Sequence, residues 1–130
     1  MIGLLRGELA VKSPTAIVLD VGGVGYEVVC PLTVLDGLPP TGGRCTLVIH
    51  THVREDQITL FGFSTQDERT LFRQLVGVSG IGPRLAVACL SGLTADALVR
   101  ALVDGDIKKL SSVPGIGKRT AERMVLELQE

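Results

Sequence analysis

The residues best equipped for chemistry are Gly115-Ile116-Gly117-Lys118-Arg119-Thr120, near the end of a 130-residue chain. A glycine-rich turn followed by cations binds an anion, and two anions are in question: a nucleotide phosphate and a nucleic-acid backbone. A Walker loop needs four residues between its glycines, then Gly-Lys followed directly by Ser or Thr, whose hydroxyl takes magnesium. Here one residue separates the glycines, and Arg119 intervenes between Lys118 and Thr120. A dinucleotide fold is disfavoured as well, because Thr120 stands where the third glycine belongs and no strand precedes the turn.

A second copy decides between the anions. Val78-Ser79-Gly80-Ile81-Gly82-Pro83-Arg84-Leu85-Ala86 aligns without a gap on Val113-Pro114-Gly115-Ile116-Gly117-Lys118-Arg119-Thr120-Ala121. The first copy has Pro83 in place of the lysine, so the shared device does not depend on Walker chemistry. In both copies a helix ends, a Gly-Ile-Gly turn brings the backbone close to a ligand, the isoleucine enters the core, and a new helix begins. Its free amides and positive dipole end face a phosphate. Arg84 in one copy, and Lys118, Arg119 and Arg123 in the other, add charge beside them. This is the helix-hairpin-helix pattern. Gly80, Gly82, Gly115 and Gly117 are its expected backbone contacts with DNA phosphate, and such contacts position a duplex without reading bases.

The charge distribution agrees with a local footprint. The formal net charge is −1, yet residues 108–123 hold five basic and one acidic residue, a patch suited to phosphates. Other candidates are weaker. His50 and His52 alternate on one face of an expected strand, an incomplete set for zinc. Cys30, Cys45 and Cys89 are far apart in sequence and lack a CxxC, so they are expected to be reduced, buried and structural. Glu55 and Asp56 should sit at a hairpin tip. Two carboxylates without DxD or ExK partners do not make a two-metal nuclease site. No catalytic group, metal or cofactor is expected.

These residues must be held by two kinds of framework. Through residue 64 the chain reads in period two, with short β-branched runs 2–9, 15–20, 25–30, 45–53 and 57–63, the pattern of a small closed five-stranded barrel. Gly22-Gly23 marks a tight connection, and Pro39, Pro40, Gly42 and Gly43 mark a long loop. From Ser64 the period is helical. Thr65 and Glu68 have capping-box spacing before Leu71, Phe72, Leu75 and Val76. Pro83 opens a second helix that Gly92 ends, with Leu85, Ala86, Cys89 and Leu90 facing inward; others are expected over 95–103, from Ile107 and from Lys118. The fold class is therefore α+β, with a barrel over 1–64 and an all-α domain with tandem hairpins over 65–130. Tyr26, Phe61 and Phe63 are too few, and too core-like in spacing, for base stacking, which favours a scaffold role for the barrel. No apolar run approaches the ~20 residues of a membrane helix, and a cytoplasmic location is expected.

MIGLLRGEL, VGGVGYEV, VREDQITLFGF, DERTLFRQL, SGIGPRLA and PGIGKRTAER occur in this order across essentially the whole chain. Together they resemble the RuvA family, which recognises Holliday junctions in the bacterial branch-migration complex. The resemblance implies an oligonucleotide-binding (OB-fold) barrel and a homotetramer, with tetramer and paired tetramer left open. It implies that the tetramer holds a four-way DNA junction open and flat while the RuvB ring ATPase moves the arms, with the RuvC resolvase a further partner. It also assigns Glu55 and Asp56 to an acidic pin that repels phosphates at the junction centre. Family members continue into a third, RuvB-engaging domain beyond the point where this sequence stops, so this chain is expected to bind junctions and oligomerise but not to stimulate the motor. Two rivals stand beside this reading. One is a helix-hairpin-helix DNA repair enzyme, of glycosylase or nuclease type, whose catalytic groups lie elsewhere. The other is an adaptor whose hairpins are only helix joints.

Overall fold

A computed structural model describes residues 1–129. The chain divides into two compact units, Met1–Arg69 and Thr70–Glu130. The first contains β1 (Leu4–Lys12), β2 (Ala16–Val21), β3 (Val24–Val29), α1 (Leu32–Leu35), β4 (Arg44–Val53) and β5 (Ile58–Phe63). The strands close into a barrel in the order β1-β2-β3-β5-β4. All pairings are antiparallel except β3 with β5, where Val28 faces Leu60 and Val29 faces Phe61.

Alternation explains the barrel. Leu5 and Leu9 of β1, Ile17 and Leu19 of β2, Val28 of β3, and Leu47 and Ile49 of β4 all point into one apolar core, as the period of two along a strand requires. Phe61 and Phe63 are buried too, consistent with a packing role. A register shift between Leu9 and Val11 bends β1 and lets it continue to Lys12, beyond the run 2–9 read from the sequence. The loop before β4 contains α1, which the sequence did not announce. Its Val34 and Leu35 close one side of the core, and a single turn is too short to display a helical period.

The helices are α2 (Gln66–Val76), α3 (Pro83–Gly92), α4 (Ala95–Asp104), α5 (Ile107–Leu110) and α6 (Lys118–Leu128). The division between units falls inside α2, a little past the change of period at Ser64. Arg69 ends the first unit, and its guanidinium donates to the carbonyls of Gly3 (3.0 Å) and Ile49 (3.1 Å), fastening the first turn of α2 to the barrel. Beyond it, Leu71, Phe72, Leu75, Leu90, Leu98, Leu102, Leu110 and Met124 are buried. Cys30 and Cys89 are buried as expected, but Cys45 is only half-buried, because it lies one residue from the exposed start of β4 and packs against the core only from its edge. Burial pushes the Cys30 thiol up to about 12 and the Cys89 thiol up to about 11.

Candidate nucleic-acid interface

The repeat in the sequence is a repeat in geometry. Gly80 and Gly115 both have φ of 93°, a left-handed conformation that glycine adopts without strain. Gly82 and Gly117 are the N-cap residues of α3 and α6, with φ/ψ of −93°/180° and −87°/176°. In each turn the isoleucine amide donates back to the valine carbonyl, Ile81 to Val78 and Ile116 to Val113, both at 3.0 Å. The same four side chains are buried. The correspondence also reaches further than the aligned nonapeptides: Leu75 and Leu110 before the turns, and Cys89 and Met124 after them, are all buried.

What distinguishes these two helix starts from those of α2, α4 and α5 is the treatment of their amides; the single-turn α1 of the barrel also lacks a side-chain cap. Every helix leaves its first N–H groups without an intrahelical acceptor. In α2, Thr65 Oγ1 accepts from the Glu68 amide (3.2 Å) while Glu68 Oε1 accepts from the Ser64 and Thr65 amides (both 2.9 Å), a complete capping box. Thr94 caps α4 by accepting from the Ala97 amide, and Asp106 caps α5 by accepting from the Lys109 amide, both at 3.1 Å. By contrast α3 and α6 have no side-chain cap and no acidic residue in the first turn. Their N-cap glycines are not demanded by the fold: both have extended backbone, and among the described residues no heavy atom lies within 4 Å of where a Cβ would stand. A missing side chain there leaves the amides open from outside.

The cations surround these openings. Arg84 lies in the first turn of α3, Lys118 and Arg119 in the first turn of α6, and Arg123 one turn further; all four are exposed. The two turns are tied together, since Leu85 Cδ1 stands 2.8 Å from the position a Cβ on Gly115 would take, and Val113 Cγ2 stands 3.5 Å from that on Gly92. Sequence reasoning placed Leu85 among inward residues of its own helix and missed this contact. Its signal was the mismatch with Thr120 at an otherwise well-kept register.

Glu55 and Asp56 belong to the other unit, at the tip between β4 and β5. The Arg54 amide donates to the Gln57 carbonyl at 2.8 Å, closing a two-residue tip on which both carboxylates are exposed. Below it, Val53 pairs with Ile58, and both are exposed although apolar. The rings of His50 and His52 lie 6.0 Å apart and 6.4 and 6.2 Å from Phe61. Among the described residues no group of three or more His, Cys, Asp or Glu is arranged to hold a metal ion, and no single helix is long and apolar enough to cross a membrane.

A closed five-stranded barrel followed by two matched helix-hairpin-helix turns defines a class of nucleic-acid-binding architecture. The family RuvA N terminal domain matches residues 1–62, and the family SAM-like Helix-hairpin-helix tandem matches residues 72–130. The chain belongs to the RuvA family. Similar relatives are proteins called Holliday junction branch migration complex subunit RuvA. That of Solibacter usitatus is 53% identical over 130 residues, covering 100% of this chain and 66% of the relative. That of Geobacter sp. (strain M21) is 55% identical, with 100% and 65% covered. That of Chromobacterium violaceum is 56% identical over 129 residues, with 99% and 66% covered. The chain spans just under two thirds of the length of these relatives.

Proposed function

We propose that this chain is the part of a branch-migration subunit that binds four-way DNA junctions, by backbone phosphate contacts and without cleaving them. The observation that carries this reading is the pair of matched helix starts, α3 and α6, which lack side-chain caps while α2, α4 and α5 have them. Duplex DNA presents phosphates on two strands, and two matched amide-bearing turns linked through Leu85 and Gly115 suit one contact per strand. Gly80, Gly82, Gly115 and Gly117 supply the close approach; Arg84, Lys118, Arg119 and Arg123 supply charge. Such contacts are independent of sequence. The names of the relatives support a Holliday junction as the substrate.

In the same reading the exposed Glu55 and Asp56 form an acidic pin. In a homotetramer, several such tips at the centre of a junction would repel phosphates there and disfavour an uninterrupted duplex. Junction DNA in the cytoplasm, other copies of this chain, and a motor and a resolvase of the RuvB and RuvC kinds are the partners this reading calls for. A labelled four-way junction and a linear duplex of the same arm sequence, incubated with the chain, test it. Selective retardation of the junction with intact strands, in a complex whose mass fits four chains, is expected. Strand cleavage would favour a helix-hairpin-helix enzyme, and equal or absent binding would remove the proposal.

A further inference from the structure

Resting on the phosphate-contact reading, we infer that the two hairpins share the DNA backbone unequally: the second is the electrostatic anchor, and the first chiefly supports it. The structural register of the repeat makes the comparison residue by residue. Gln74, Pro83, Leu85 and Ala88 of the first hairpin correspond to Lys109, Lys118, Thr120 and Arg123 of the second. At each of these positions the first hairpin has an apolar or uncharged residue where the second has a cation or a hydroxyl. Only Arg84 and Arg119 match as cations across the two helix starts.

The backbone repeats the same bias. The first intrahelical amide bonds are those of Ala86 to Gly82 (3.0 Å) and Ala121 to Gly117 (2.9 Å). Between cap and bond the second hairpin presents the amides of Gly117, Lys118, Arg119 and Thr120. The first loses one of the equivalent four, because Pro83 has no N–H.

What the first hairpin gains from these substitutions is packing. Pro83 fixes the first residue of α3 in helical φ. Leu85, half-buried, lies against Gly115, where its counterpart Thr120 offers a hydroxyl. Leu85 is thus a positioning residue: it holds the turn of the second hairpin and contributes no charge. One strand of a bound arm would then be gripped more firmly than the other, and the lightly held strand would exchange phosphates first as DNA moves.

The test is the salt dependence of affinity, measured by fluorescence anisotropy with the 130-residue chain and a labelled four-way junction. Each lost phosphate contact lowers the magnitude of the slope of log K against log salt by about 1. Arg119→Gln should produce that loss, and Arg84→Gln less than half of it. Pro83→Lys with Ala88→Arg, confirmed as folded by thermal denaturation, should increase both affinity and slope magnitude. Leu85→Ala should lower the slope although no charge is removed, and Leu85→Met should restore it; an unchanged slope would overturn the support role. Equal losses from Arg84→Gln and Arg119→Gln, or no gain from the added cations, would overturn the unequal sharing and leave the phosphate contacts standing. If neither arginine variant alters slope or affinity while the junction is still bound, the phosphate reading itself fails.

Discussion

Leu85 of α3 occupies the space directly over Gly115, its Cδ1 only 2.8 Å from where a Cβ would be. Gly80, the matching residue of the first turn, has the same φ of 93° but, among the described residues, no heavy atom within 4 Å of that point. Two glycines with one conformation therefore carry different constraints. Gly80→Ala should cost about 1 kcal/mol or more through backbone strain alone. Gly115→Ala should cost more, since Leu85 must also move. Urea denaturation of Gly115→Ala, Leu85→Ala and the double variant should give a double-variant cost below the sum of the singles. Strict additivity would mean that the two residues do not meet.

Gly82 and Gly117 offer a cleaner separation of binding from stability. Both backbones are extended and both Cβ positions are open, so Gly82→Ala and Gly117→Ala should change stability by no more than about 0.5 kcal/mol. A methyl group at either position would stand over the amides, and junction affinity should fall. Paired melting curves and anisotropy titrations would decide it; undiminished binding by both variants would exclude these amides from the interface.

The acidic tip makes the opposite kind of claim. Glu55→Gln with Asp56→Asn removes two exposed charges and keeps their shape, so the melting temperature should hardly move. Binding to linear duplex should rise relative to the junction, most at low salt, where exposed charges are least screened. A preference for junctions that survives the change at every salt concentration would show that the tip does not create it.

The cysteines should react in an order set by burial. The thiolate is the reactive species; burial raises all three thiols, Cys30 to about 12 and Cys89 to about 11. Near neutral pH a thiol reagent should label half-buried Cys45 first, and Cys30 and Cys89 only as the chain unfolds. Because the unfolded chain releases these protons near 9.0 and the folded chain releases them later, their contribution is complete below pH 9. It should decline as pH rises toward 11 and 12. Rapid native-state labelling of Cys89 would contradict the burial.

Much of this was legible in the sequence for identifiable reasons. The strands around Leu19, Val28 and Ile49 alternate cleanly, so their faces could be read. The capping box at Thr65 and Glu68 announced the start of α2. The two Gly-Ile-Gly turns announced each other. The features that could not be read depend on partners distant in sequence. Arg69 looks like any helix-surface cation until the carbonyls of Gly3 and Ile49 are brought to it. Leu85 looks like an ordinary core leucine until the second turn arrives against it. The open cap positions of α3 and α6 are visible in sequence only as glycines; their contrast with Thr65, Thr94 and Asp106 needs the observed hydrogen bonds.

The position of β5 has a consequence for how the protein is made. It is the last strand in the chain, yet it lies between β3 and β4. On a ribosome, the edges of those two strands stay unpaired until Phe63 has cleared the exit tunnel, and unpaired edges invite wrong partners. The hairpin turns that follow join helices that are neighbours in sequence and close by short-range contacts, which form quickly. A force-sensing arrest sequence placed at increasing distances behind β5 should report barrel closure as one abrupt event once that strand emerges. Gradual release beginning with β1 and β2 would mean that the barrel assembles without waiting for its last strand.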